Sequence, residues 1–287
     1  DLTQVTPEAA AQYKLGSLPN GGGNYPNANK HSTAADWANE SDKYYLAVKT
    51  AFDGRGFWIP FMWATDAVHG DNNVYGATLF PHNIGLGAAH DPDLIYKIGQ
   101  ATAQEIAATG LDWTFAPTVT TPRDDRWGRV YEGYSEDAEI VHAYAGKMVE
   151  GIQGSATDLK GDQHVISNVK HFVGDGGTLK GVDRGENHYS EDYLRNIHAT
   201  GYFSGLDAGA QVVMASFNSW NDDSNYAIPD ETTANHATDY NYKIHGSKYL
   251  IQDVLKQQMG FDGLVVSDWN GHQEVAGCSS NSCPAAV

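Results

Sequence analysis

Short apolar runs alternate with longer segments of helical period along the whole chain. The runs are rich in β-branched and aromatic residues, and their length is typical of buried parallel strands. They predict strands at 58–64, 111–116, 165–172, 210–217 and 263–267, with a weaker one at 15–19.

The segments between these runs carry apolar residues three and four positions apart, which is the spacing of one helix face. Ile95, Ile98, Thr102 and Ile106 show this spacing behind a helix start at Asp91-Pro92. The same reasoning predicts helices at 34–52, at 92–108, at 135–153 behind a Ser135 cap, around 194–201, and around 250–255 with a stop at Gly260.

A strand followed by a helix, repeated, indicates an α/β fold with a parallel sheet and helices outside it. A barrel and an open doubly wound sheet both fit this rhythm. About six strands are recognisable, whereas a complete barrel has eight. We expect a TIM-like (β/α)8 barrel that is incomplete at the C-terminus. The pattern also allows a barrel that is incomplete at the N-terminus.

Composition narrows the range of partners. The 287 residues carry a formal net charge of -18, which repels phosphate backbones and argues against a nucleic-acid partner. A neutral ligand such as a sugar, or simple solubility, fits this charge equally well. No apolar stretch approaches the roughly 20 residues that span a membrane. The two cysteines, Cys278 and Cys283, could form a small-loop disulfide, which would favour an oxidising compartment.

Polar side chains cluster where the predicted strands end. Parallel strands direct their carboxyl ends to one face of a barrel, where barrel enzymes place their active sites. We therefore expect one shared site. Its candidate members follow five consecutive strands: Asp66 and His69, Arg123 to Arg129, Lys170 and His171, Ser216 and Asn218, and Asp268 with Trp269.

These residue types suit a polyhydroxylated ring. Carboxylates and cations bind hydroxyl groups, and an aromatic side chain can stack on the apolar face of a sugar. Asp268 follows a hydrophobic strand, and cations such as Lys170 and Arg129 would keep it ionised. An ionised carboxylate is what a retaining glycosidase needs as a nucleophile. A helix cap or a structural ion pair is the alternative role for Asp268.

Other catalytic motifs are absent from the sequence. It contains no Gly-x-Ser-x-Gly elbow, Walker loop or His-Glu-x-x-His, and the dinucleotide fingerprint fails after Gly85-Leu86-Gly87. His69, His82 and His90 are scattered. We expect no cofactor and no metal.

Four blocks of sequence resemble those of family 3 glycoside hydrolases, in the same order and with the same spacing. The blocks are TDAVHGDNNVYGATLFPHNIGLGA (65–88), FAPTVTTPRDDRWGRVYEGYSED (115–137), KHFVGDGG (170–177) and VSDW (266–269). The resemblance covers nearly the whole chain. It implies that 1–287 is the N-terminal barrel domain of such an enzyme, truncated, with the C-terminal α/β sandwich domain absent.

The resemblance also implies roles for individual residues. Asp268 would be the nucleophile that forms a covalent glycosyl-enzyme, and Trp269 would wall the −1 and +1 subsites. The glycone hydroxyls would be bound by Asp66, Arg129, Lys170 and His171. Glu186 is similar, more loosely, to an acidic residue that supports the site in plant-type members. The general acid/base is expected outside this chain.

Two departures refine the branch. Phe217 stands where the family often has a tyrosine whose hydroxyl supports the nucleophile. The loop after His171 lacks the Pro-Gly-His-Gly of N-acetylglucosaminidases, which favours a β-glucosidase or exo-β-glucan glucohydrolase. The expected substrate is a β-linked gluco-oligosaccharide or glucan, and the expected location is periplasmic or secreted. A β-xylosidase, an N-acetylhexosaminidase and a non-catalytic carbohydrate-binding barrel remain alternatives.

Overall fold

The computed structural model describes residues 5–20, 23–220 and 243–275. They form two compact units. The first unit contains the described residues within Asp1–Pro81, Asp93–Ala116 and Met148–Ser167, and the second contains those within His82–Pro92, Pro117–Lys147 and Asn168–Val287. Cys278 and Cys283, with their proposed disulfide, lie outside the described residues.

Strands and helices alternate along the described chain. The strands are β1 (Ser17–Asn20), β2 (Met62–Thr65), β3 (Trp113–Thr114), β4 (Ile166–Phe172), β5 (Glu186–Asn187), β6 (Val212–Ala215), β7 (Ser219–Trp220) and β8 (Leu264–Ser267). The helices are α1 (Pro7–Tyr13), α2 (Ala34–Thr50), α3 (Asn83–Ala88), α4 (Pro92–Ala107), α5 (Ala138–Gln153), α6 (Glu191–Tyr193), continued by wide turns over Leu194–His198, α7 (Thr200–Asp207) and α8 (Tyr249–Gln258).

The first unit holds the parallel pairs β1–β2 and β2–β3, and β3 pairs with the first two residues of β4. Its core is aromatic. Trp63 on β2 and Trp37 on α2 are fully buried, with ring centroids 6.2 Å apart. Tyr44, further along the same face of α2, lies 5.2 Å from Trp63. Burial of these large rings therefore fastens α2 against the strands.

The second unit begins with the remainder of β4. Asn168 is in register with Val212 of β6, and Ala215 at the end of β6 is in register with Ser267 of β8. All of these pairs are parallel, so the strand order β1-β2-β3-β4-β6-β8 follows the chain without reversal. A doubly wound sheet would reverse its order at a switch point. The order therefore confirms an α/β fold of the incomplete TIM-like type.

The six strands expected from the apolar runs are all present, although each is shorter than its run. Helices α2, α4 and α5 are confirmed, and α8 ends at Gln258, just before Gly260 with its φ of +71°. The Ser135 cap is wrong. Asp137 is the residue before α5, and its carboxylate accepts from the Glu139 N–H (2.9 Å), whereas the Ser135 hydroxyl accepts from Asp137 N–H (3.0 Å).

Helix α3 and the short parallel pair β5–β7 were not anticipated. Glu186 and Asn187 of β5 pair with Ser219 and Trp220 of β7. Two-residue strands have no recognisable periodicity, and the six residues of α3 include two glycines. Both elements are held by tertiary contacts rather than by local propensity.

Helix α3 packs tightly against the loop that follows β3. The Asn83 side chain donates to the Glu132 carbonyl (2.7 Å). A Cβ on Gly87 would lie 1.7 Å from the Tyr134 carbonyl oxygen. The missing side chain at Gly87 is therefore what allows the two segments to touch.

We expect Gly87→Ala to destabilise the protein by about 3 kcal/mol, because the new methyl group meets backbone that cannot rotate away. Gly128→Ala is the matched control, since a Cβ there has no neighbour within 4 Å. Its effect should stay within about 0.5 kcal/mol. Urea unfolding followed by tryptophan fluorescence would measure both, and equal midpoints for the two variants would contradict the tight packing at Gly87.

His198 is a buried histidine in the second unit. It is 2% exposed, and neither ring nitrogen has a hydrogen-bond partner among the described residues. Tyr189 and Tyr193 flank the ring, with centroids 5.5 Å and 5.9 Å away. Burial lowers the pKa of His198 to about 4. The ring is therefore neutral in the folded protein over most of the acidic range.

This lowered pKa predicts a pH-dependent stability. The unfolded chain binds the proton below its ordinary pKa of about 6.5, whereas the folded protein binds it only below about 4. The free energy of unfolding should therefore fall as the pH drops from 6.5 to 4, by about 3 kcal/mol from this group. His198→Gln removes the titration. The stability difference between wild type and variant should shrink over that window, and parallel pH profiles would refute this assignment.

Candidate active site

Two parallel strands deliver the central groups. Lys170 and His171 lie at the carboxyl end of β4, and Asp268 follows the last residue of β8. Strand β6 lies between them and pairs with both. His171 Nε2 is consequently 3.6 Å from Asp268 Oδ2. The expectation that these strand ends converge is therefore met for His171 and Asp268.

Arg129 reaches the same place from the loop after β3. Its Nη2 lies 3.1 Å from His171 Nε2. Glu132 accepts from Arg129 Nε (2.8 Å) and Nη2 (3.0 Å), which is the paired geometry that fixes a guanidinium plane. These bonds engage Nε and Nη2, and Nη1 makes no hydrogen bond to a residue in the described ranges.

Asp175, one turn beyond His171, completes the cluster. Its Oδ2 is 2.9 Å from His171 Nδ1. Its Oδ1 accepts from the Thr120 hydroxyl (2.7 Å) and from the Gly176 N–H (3.0 Å). Three hydrogen bonds thus hold a carboxylate whose residue is only 8% exposed.

The loop that carries Asp175 is itself anchored. Gly174 has φ +91°, a left-handed conformation that glycine adopts without strain. Its carbonyl accepts from the Asn187 side chain of β5 (2.9 Å). The β5–β7 pair therefore supports the turn that places the Asp175 carboxylate next to His171.

Charge pairing governs the pKa values in the cluster. Burial acts to raise the pKa of Asp175, but hydrogen bonds from His171 and Thr120 and the charge of Arg129 outweigh it and lower that pKa. Burial also opposes the charge of Arg129, yet pairing with Glu132 and the charges of Asp175 and Asp268 raise its pKa. Both groups are therefore ionised at neutral pH.

Lys170 and Trp269 flank the cluster. Lys170 is 4% exposed, and its backbone carbonyl accepts from Val119 N–H (2.8 Å), which joins β4 to the loop after β3. Trp269 is 56% exposed, and its backbone N–H donates to Asp268 Oδ1 (2.6 Å). That bond fixes the Asp268 carboxylate while the indole ring stands in solvent.

Glu186 and Asp66 are the two remaining predicted site residues. Glu186, on β5, accepts from His188 Nε2 (2.8 Å) rather than bonding to a member of the cluster. Asp66 directly follows β2 in the first unit, and the next residue, Ala67, donates its N–H to Thr114 Oγ1 (3.2 Å). Their roles in ligand binding stay predictions.

Sequence reasoning had assigned no role to Asp175, Glu132 or Thr120. The spacing of His171 and Asp175 by four residues, and of Arg129 and Glu132 by three, is a recognisable signal for local pairing. Thr120 carries no such signal, because it reaches Asp175 across 55 positions.

Metal and membrane features are absent from the described part of the chain. Within it, no group of three or more His, Cys, Asp or Glu side chains has the arrangement of a metal site. None of the helices described above is long and apolar enough to cross a membrane.

Comparison with known proteins places the chain in a family. Residues 1–287 match the model described as glycosyl hydrolase family 3 N terminal domain. The crystal structure of an exo-1,3/1,4-β-glucanase from a Pseudoalteromonas species is 53% identical, with a TM-score of 0.88 over 99% of this chain and 33% of that one.

Two further relatives are more distant. A mutant β-glucosidase from Listeria innocua, solved in complex with laminaribiose, is 28% identical with a TM-score of 0.72, over 91% of this chain and 30% of that one. A periplasmic β-glucosidase from Salmonella typhimurium is 33% identical over 76% of this chain and 25% of its own length. The chain thus spans a quarter to a third of these relatives.

The order of the parallel strands, the cluster at their carboxyl ends and the match over residues 1–287 agree with one another. The chain belongs to glycosyl hydrolase family 3 and corresponds to the N-terminal domain of that family.

Proposed function

We propose that the protein hydrolyses terminal non-reducing β-D-glucosyl residues of β-glucans or β-linked oligosaccharides, with retention of configuration. The observation that carries this proposal is the ionisable cluster at the ends of β4 and β8. There, Asp268 Oδ2 lies 3.6 Å from His171, which in turn contacts Arg129 and Asp175.

Asp268 is the proposed nucleophile. The Trp269 N–H holds Oδ1, so Oδ2 is the oxygen on the side of His171 and Arg129. In the first step this carboxylate bonds to the anomeric carbon as the glycosidic C–O bond breaks, and the leaving oxygen takes a proton from a general acid. In the second step water displaces Asp268 from that carbon and gives up a proton to the same residue.

The general acid/base is expected from a carboxylate outside this chain, as the family resemblance implies. Retaining glycosidases hold their two carboxyl groups about 5–5.5 Å apart. The second carboxylate would therefore approach Asp268 from across the sugar ring.

The glycone would be held mainly by charged donors and acceptors. Arg129 Nη1 is free to donate to a hydroxyl group, since its other nitrogens are engaged with Glu132 and His171. Lys170 and Asp66 are the remaining proposed hydroxyl-binding residues. The family resemblance also implies His171, but its two ring nitrogens already contact Asp175 and Arg129, and its proposed part is to orient Arg129. Exposed Trp269 offers an apolar face for a sugar ring, and Glu186 is a candidate supporting residue at the periphery.

The names of the relatives favour a glucosyl substrate. They include periplasmic and lysosomal β-glucosidases, a β-xylosidase and the exo-1,3/1,4-β-glucanase. We infer a glucan or gluco-oligosaccharide as the partner. A periplasmic or secreted location is proposed from the relatives that are named as periplasmic.

Covalent trapping tests the nucleophile. In the full-length protein, a 2-deoxy-2-fluoro-β-glucoside with an activated leaving group should add one fluoroglucosyl group to Asp268, because such a leaving group needs little acid assistance. Intact mass and peptide mapping would locate it. Asp268→Asn should abolish labelling and lower kcat by about 10⁴-fold or more, since the nucleophile is lost.

Asp262→Asn is the matched control for this experiment, since Asp262 is exposed and lies just before β8. It should label and turn over like wild type. Labelling of a different carboxylate, or release of the α-anomer as first product by NMR, would refute Asp268 as the nucleophile of a retaining enzyme. A folded protein that binds glucan but neither labels nor hydrolyses would indicate a binding domain.

Trp269→Ala tests the proposed sugar-stacking surface. We expect KM for β-gluco-oligosaccharides to rise about 2- to 13-fold, because an aromatic contact contributes roughly 0.5–1.5 kcal/mol. Steady-state kinetics would measure this. Phe57→Ala removes another exposed aromatic ring (61% exposed) and should leave KM unchanged. Equal effects of the two substitutions would contradict the assignment.

A further inference from the structure

The two carboxylate oxygens of Asp175 have different partners, and only Oδ2 contacts His171. Its Oδ2 contacts the ring at Nδ1, 2.9 Å away. Its Oδ1 is occupied by two groups that donate, the Thr120 hydroxyl and the Gly176 N–H. Both oxygens of Asp175 therefore act as acceptors, which is the property of an ionised carboxylate.

The other ring nitrogen of His171 meets a donor. Arg129 Nη2 lies 3.1 Å from Nε2, and a guanidinium has no acceptor atom. Nε2 must therefore present its lone pair to Arg129, and the single ring proton lies on Nδ1, facing Asp175. Asp268 Oδ2 at 3.6 Å from Nε2 consequently receives no hydrogen bond from the ring.

We propose that Asp175 is a positioning residue that holds His171 in the neutral tautomer protonated on Nδ1. This tautomer orients Arg129 by accepting from it, and it directs no ring N–H at Asp268 Oδ2, the oxygen proposed to attack. The inference rests on the proposed function for its catalytic consequence, whereas the tautomer itself is a property of the cluster.

The opposite tautomer would disturb two contacts at once. With the proton on Nε2, the ring would face an Arg129 N–H with its own N–H. It would also place a donor toward the nucleophile, and a hydrogen bond there would weaken the attack of Asp268. The charged and titratable groups that face His171 and Asp175 are Arg129, which Glu132 holds, Asp268, whose Oδ2 lies 3.6 Å from Nε2, and His198, whose pKa is lowered by burial.

The substitution Asp175→Asn tests which tautomer Asp175 imposes on His171, because an amide has only one acceptor oxygen. The Gly176 N–H can only donate, so it selects the amide oxygen of the variant. The NH₂ group then faces His171 Nδ1 and requires the Nε2–H tautomer, with its donor directed at Arg129. This nearly isosteric substitution should therefore move the ring proton of His171 from Nδ1 to Nε2.

The test combines spectroscopy and kinetics on the full-length protein. ¹⁵N-histidine NMR, with His171 assigned by loss of its signals in His171→Gln, should show the Nδ1–H tautomer in wild type and the Nε2–H tautomer in Asp175→Asn. The kcat/KM for an aryl β-glucoside should fall about 100-fold or more, as a wrong tautomer does in hydrolytic triads. The rate of fluoroglucoside labelling at Asp268 should fall in parallel.

Two control variants separate positioning from general damage. Asp192→Asn makes the same substitution on an exposed side chain paired with Arg195, and it should change neither tautomer nor kcat/KM. Thr120→Val removes one bond to Asp175 but keeps its charge, so the tautomer should persist and kcat/KM should fall less than about 10-fold.

The outcomes are distinguishable. An Nε2–H tautomer in wild type, or an unchanged tautomer in a folded Asp175→Asn, would overturn the proposal. The Nε2–H tautomer in Thr120→Val would also overturn it, because the surroundings as a whole, rather than Asp175, would then set the tautomer. Absence of labelling at Asp268 in wild type would instead defeat the proposed function, and the NMR result would still decide the role of Asp175.

Discussion

The parallel register of β4, β6 and β8 is the constraint on which the proposed site depends. Strand β6 pairs with both β4 and β8. The carboxyl ends of β4 and β8, which are far apart in sequence, therefore lie at the same edge of the sheet. His171 and Asp268 are distant in sequence, yet their side chains lie 3.6 Å from each other. A slip of one residue in either pairing would direct Lys170 or Ser267 to the place of the functional group.

A second requirement is that a charged cluster be stable at the edge of an apolar sheet. Asp175 and Arg129 are largely withdrawn from solvent, which alone would disfavour their charges. The structure compensates with fixed partners, namely Glu132 for Arg129, and His171, Thr120 and the Gly176 N–H for Asp175. These partners orient the side chains as well as compensating their charges, so the geometry of the proposed site is fixed by the protein itself.

Supporting elements outside the sheet complete this arrangement. Helix α3 contacts the segment that carries Glu132 through Asn83 and Gly87, and Asn187 of β5 holds the Gly174 turn. None of these contacts involves a group with an established chemical role. Their contribution is to limit the movement of loops that would otherwise be the least constrained part of the site.

The sequence alone determined the α/β class, the six strands and the position of each polar group at a strand end. Apolar periodicity is a local pattern, so it can be recognised without knowing which segments pack together. Its long motif blocks also indicated the family. What the sequence could not determine was which polar groups meet. The bonds from Thr120 to Asp175 and from Arg129 to His171 join distant segments, and the contrast between clustered Asp175 and peripheral Glu186 has no periodic signal. Only the tertiary structure decides these contacts, since strand register and loop anchoring set distances that local patterns do not encode.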